Sequence, residues 1–143
     1  MSVSQGYEFF EHTADVGAVV RGVTLPRLFE NASKAMCDVI CDRRAVRPRR
    51  AVRILVRGSS LEDLLVRWLS ELLFRLETEG MLFTSFAVER VDRALLLARG
   101  TARGERLDSA RHALRREVKA VTYHQIRLVR GRSAWRVRIV FDV

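Results

Sequence analysis

The sequence predicts an α+β fold: a single domain over residues 1–143, mostly antiparallel β-sheet with two longer amphipathic helices. Three observations carry this. Apolar residues recur at spacings of three and four over 25–40 and again over 61–76. Alternating apolar and polar residues mark strands at 52–57 and 135–142. Short polar turns at Asp92-Arg93 and Gly131-Arg132-Ser133 each join two strand-like runs, as hairpins do.

In order, residues 7–10 read as a strand and 18–21 as another. Thr24 is a plausible N-cap, and Pro26 is tolerated in the first turn of a helix. Leu25, Leu28, Phe29, Ala32, Ala35, Met36, Val39 and Ile40 form that helix's apolar stripe. Asp38 falls off the stripe and is expected to be solvated. Pro48 and dense charge make 42–51 a loop. Two overlapping capping boxes, Ser59 with Glu62 and Ser60 with Asp63, start the second helix, and Gly80 ends it. Its leucines and Trp68 make it the most apolar helix, expected to pack across a sheet. Residues 83–91 and 94–102 form a hairpin, and Gly104-Glu105 breaks the pattern. A short helix over 108–114, capped by Asp108, is expected to leave His112 in solvent. Residues 118–129 and 135–143 are the final pair of strands.

Composition narrows the class. Apolar content of 48% and charged content of 30% exclude a disordered or collagen-like chain. No apolar run reaches the ~20 residues that cross a bilayer. The N-terminus lacks the basic-then-apolar pattern of a signal peptide, so no membrane association and a cytoplasmic location are expected. Cys37 and Cys41, one helical turn apart, are expected to be buried small residues rather than a disulfide or a zinc site. The net charge is +9, and apart from Lys34 and Lys119 every Lys or Arg is arginine. Such a surface permits an RNA or an acidic-protein partner and selects neither.

Chemistry concentrates in Glu11-His12-Thr13-Ala14-Asp15-Val16-Gly17, a polar stretch between two apolar runs. It reads either as a polar turn or as one arm of a metal site whose other arms lie elsewhere. The other end of the sequence supplies candidates. Asp142 and the carboxyl group of Val143 place two carboxylates side by side at the end of a strand. Either arginines balance them through ordinary salt bridges, or a hard divalent ion does, as calcium would.

The chain resembles the archease family along essentially its whole length. The matching pieces are 10–17, the helix segment 64–73, Gly104-Glu105, Val118-Lys119-Ala120-Val121-Thr122-Tyr123-His124 and the final Asp142-Val143. The resemblance implies a cofactor protein for the RtcB-type RNA-splicing ligase, which joins tRNA halves through a guanylylated histidine. An archease promotes that guanylylation and restores multiple turnover, with RNA reached through the ligase. It also implies a divalent-metal site, described with calcium, mapping onto Asp15, Asp142 and Val143. Valine ends this chain where other members often have isoleucine.

The resemblance implies no catalytic residue and no organic cofactor. His12, Glu105, Lys119 and His124 are candidates for supporting the metal ligands or touching the partner. Lys119 has an ion pair with Glu105 as its alternative. Lys119 and His124 have opposite strand parity and cannot share a face unless a bulge intervenes. The alternative function is a basic RNA-binding or chaperone-like module assisting RNA-modifying enzymes. A free-standing hydrolase is the weakest reading, since no activated nucleophile is legible.

Overall fold

A computed structural model describes residues 6–12 and 15–143, without the side chains of Glu11 and His12. Thr13 and Ala14 of the polar stretch lie outside the described residues. The elements run β1 (Tyr7–His12), β2 (Asp15–Gly22), α1 (Leu25–Ile40), β3 (Arg50–Arg57), α2 (Leu61–Glu79), β4 (Met81–Asp92), β5 (Leu97–Arg106), β6 (Ala120–Arg130) and β7 (Trp135–Asp142). One sheet has the order β1-β2-β7-β6 and the other β3-β5-β4. Every strand pairing in both is antiparallel.

Each helix packs against both sheets. α1 packs on β2 of the larger sheet and β4 of the smaller, and α2 packs on β6 and β3. Burial from two sides explains why α1 hides Asn31, Ser33 and Cys37 as well as its apolar stripe. At the centre, Trp68 is fully buried and donates its indole N–H to Ser33 Oγ at 2.9 Å. Ser33 in turn donates to the Phe29 carbonyl at 2.7 Å, so the polar atoms in this apolar layer are satisfied. Each large side chain buried here contributes roughly 1.5–3 kcal/mol by leaving water. No helix among the described residues is long and apolar enough to cross a membrane.

Local chemistry sets the element ends. Thr24 caps α1 by accepting from Arg27 N at 3.2 Å. Ser60 caps α2 by accepting from Asp63 N, and Asp63 accepts in return from Ser59 N at 2.9 Å. Of the two overlapping boxes, Ser60–Asp63 is thus the one formed. Glu62 instead accepts from Leu128 N across to β6. Gly80 ends α2 with φ of +67°, a left-handed conformation that glycine adopts without steric cost. Cys37 and Cys41 are buried free thiols, and burial pushes both thiol pKa values up.

Three expectations are corrected. Asp38 is half-buried and bonded rather than freely solvated. It accepts from the Tyr7 hydroxyl and from Arg43 Nε, and burial beside it raises the Tyr7 pKa to about 12. Residues 108–114 form a turn rather than a helix. Asp108 O accepts from Arg111 N and His112 N, after which the chain bridges Leu114 to Cys41. His112 is 4% exposed, because its ring is drawn onto Glu105.

Candidate functional site

Antiparallel register brings the two ends of the sequence together. Asp15 on β2 stands directly opposite Asp142 on β7. Asp142 also pairs with Ala120 on β6, and Asp15 with His12 on β1. The next pair inward, Val16 and Phe141, turns toward the helices, where Phe141 is fully buried. Side chains alternate along a strand, so both aspartates project from the outer face. Directly opposed residues hold their Cβ atoms roughly 4.5–5.5 Å apart. Both are half-buried, and Val143 follows at once. Lys119 N donates to the Asp142 carbonyl at 2.7 Å, which fixes the end of β7.

One side of this pair is walled by apolar groups. The Phe10 ring lies across Gly17, where a Cβ would sit only 2.1 Å from it. The Arg138 guanidinium lies over that ring, 4.3 Å from its centroid. Val140, opposite Gly17 on the outer face, is thereby fully buried. Ala120, by contrast, is small and exposed, leaving the approach from β6 open.

Two like charges directly opposed on a sheet repel. A hard divalent cation would relieve that repulsion, and carboxylate oxygens are the donors it prefers. Among the described residues, no three His, Cys, Asp or Glu side chains converge as a complete metal cage. The two aspartates would therefore form an open, incomplete shell.

The other candidates fall elsewhere. The His12 side chain lies outside the described residues, though its backbone is the register partner of Asp15. Glu105, on β5 of the smaller sheet, ties loops together instead. It accepts from Arg47 N at 2.9 Å and pairs with Arg111 at 2.6 Å and His112 at 2.9 Å. Asp108 N donates to His112 Nδ1, which leaves Nε2–H to face Glu105. The Arg111 guanidinium, then the Arg47 amide, lower the Glu105 pKa to about 2. The Glu105–Lys119 ion pair is replaced by these contacts. His124 lies in a bulge of β6 between Thr122 and Arg127, which overrides the simple parity argument. Its N–H donates to Thr122 Oγ1 at 3.2 Å, within the bulge.

Sequence reasoning did not find the Phe10–Gly17–Arg138 stack. A glycine mid-strand beneath an aromatic on the neighbouring strand was its one signal. It also missed the Glu105 cluster and the bond from Tyr123 to Asp63, both of which join residues distant in sequence.

Two sheets packed with two helices, and an opposed carboxylate pair at the end of the larger sheet, define a small α+β protein whose site offers oxygen donors. The chain belongs to the Archease protein family (MTH1598/TM1083), whose model matches residues 7–143. The archease of Methanopyrus kandleri is 41% identical over 138 residues, covering 96% of this chain and 99% of that protein. The archease of Sulfurisphaera tokodaii is 38% identical, covering 97% and 99%. The solution structure of Methanobacterium thermoautotrophicum protein 1598 superposes with a TM-score of 0.85 at 36% identity, covering 97% of this chain and 99% of that one. The Thermotoga maritima structure, described as "an archease, possible chaperone", shares the fold at 20% identity and a TM-score of 0.60, covering 94% of each chain.

Proposed function

We propose that this chain is a non-catalytic activator of an RtcB-type tRNA-splicing RNA ligase. It promotes the ligase's guanylylation and multiple turnover with a divalent ion, calcium, held by Asp15, Asp142 and Val143. The Asp15–Asp142 register pair carries the reading. Archease membership and the open shell support it. A protein that hands an ion to a partner's phosphate needs ligands that leave coordination positions free.

In this reading the chain's residues bind and orient. Asp15 and Asp142 come from strands whose pairing is fixed along their whole length, so their spacing is set before any ligand arrives. The Phe10 ring and Val140 keep water from one flank, and the exposed Ala120 side admits the partner. When bound, the ion would supply Lewis-acid polarisation of a phosphoryl oxygen. At the carboxylate site RNA is reached through the ligase, in the cytoplasm.

The test is multiple-turnover RNA ligation with the purified ligase. Asp15→Ala and Asp142→Asn are expected to keep their circular dichroism spectra and lose the stimulation. Full stimulation by a folded Asp15→Ala protein would overturn the role.

A further inference from the structure

The outer face of the smaller sheet carries a second, separate chemistry. Ala98, Ala102 and Ile54 face the helices and are buried, so their strand neighbours face outward. The register places Arg57 opposite Leu97, Arg99 opposite Leu55, Arg53 opposite Thr101 and Arg103 opposite Ala51. Four successive outward levels therefore carry one arginine each, alternating between β3 and β5. Each step advances two residues, about 6.6 Å, so the zigzag runs about 20 Å. Arg90 on β4 stands directly opposite Arg99, extending the positive row sideways.

Most of this charge is uncompensated. Arg53 pairs with Glu89 at 3.3 Å and Arg90 with Asp92 at 2.6 Å. Arg57, Arg99 and Arg103 are exposed and have no acidic partner among the described residues. Opposed like charges destabilise a sheet pair. Intramolecular bonding does not explain the row, and a linear polyanion would.

We propose that this face is a docking track for single-stranded RNA, gripped through its phosphates without regard to sequence. Guanidinium forks match phosphate oxygens in pairs. An acidic protein fits less well. Protein interfaces draw their affinity from buried aromatic or aliphatic anchors. Between the arginines this face offers small residues, Ala51, Ala87, Ser85 and Thr101, with Leu55 its one large exposed apolar side chain. Without an aromatic to stack on, bases stay unread. The Ser85 and Thr101 hydroxyls lie within the track, in reach of the 2′-hydroxyl that separates RNA from DNA.

The experiment is fluorescence anisotropy of a labelled oligouridylate with the full chain, between ~50 and ~200 mM salt. Four phosphate contacts give an expected slope of about −3 for log K against log salt. The R99Q/R103Q double variant is expected to weaken binding at least about tenfold at the lower salt, with unchanged thermal stability. The charge-matched R116Q/R132Q double variant, at exposed positions outside every strand, is expected to change it less than about twofold. Four results would overturn the proposal: no binding at the lower salt, equal loss in both double variants, equal affinity for oligodeoxyuridylate, or competition by polyglutamate as strong as by unlabelled RNA. The last would assign the face to an acidic protein.

Discussion

Tyr123, on the bulged strand β6, donates a 2.6 Å hydrogen bond to Asp63, in the first turn of α2. Asp63 also accepts from Ser59 N and Arg67 Nε, so one carboxylate closes a helix cap and pins a strand irregularity. Glu62 helps by accepting from Leu128 N, beyond the bulge. The irregular part of β6, which carries His124, is thus held at two points by the start of one helix.

The Tyr123 bond is a stability element that mutation can isolate. Bonds to the Tyr123 hydroxyl, the Ser59 amide and Arg67 hold the Asp63 carboxyl well below the usual carboxylate range. Tyr123→Phe keeps the ring and removes one donor to a charged acceptor. The expected cost is about 1–2 kcal/mol, read from urea denaturation at neutral pH. Asp63→Ala, which also removes the returning cap, is expected to cost more. An unchanged midpoint in Tyr123→Phe would mean that the bond contributes nothing.

The Glu105 cluster predicts an acid limb. Glu105 has a folded pKa of about 2, against about 4.3 when unfolded. Its contribution is therefore fully present above the unfolded value and is lost as pH falls toward the folded one. Glu105→Gln is expected to lower the melting temperature at neutral pH. Its curve of melting temperature against pH should fall less steeply than wild type between pH ~5 and ~3. Parallel curves would rule out the ionised Glu105 as a source of acid sensitivity.

The carboxylate pair predicts opposite effects with and without an ion. In chelator, Asp142→Asn is expected to melt at or slightly above the wild-type temperature, since it removes a like-charge opposition. With calcium at 100 times its dissociation constant, the wild type gains about 2.7 kcal/mol by binding only the folded state. Asp142→Asn is expected to lose most of that gain. Differential scanning calorimetry in calcium, magnesium and chelator decides it. A calcium shift of equal size in both proteins would place the ion elsewhere.

Much of the fold was legible because it rests on local patterns. The stripes of α1 and α2, the Ser60 cap, the Gly80 stop and the alternation of β7 are all written within a few turns or strand repeats. The short-helix expectation for 108–114 failed because a long-range contact won. Burying His112 against Glu105 leaves the segment only one turn. Asp38 was misread for the same reason, since Tyr7 and Arg43 are invisible to a helical wheel. At the candidate site, each aspartate was visible alone. Their opposition follows from β2 and β7 being sheet neighbours, which local periodicity does not reveal. The arginine track was hidden likewise, because its regular spacing exists only after β3 and β5 interleave.

Because each helix packs against strands of both sheets, the inner face of each sheet is covered and the other face is left to the surroundings. The carboxylate pair and the arginine zigzag therefore occupy the outer faces of two different sheets. A macromolecule seated over one does not obstruct the other, so a single small chain has the layout of a bracket able to hold two large bodies at once.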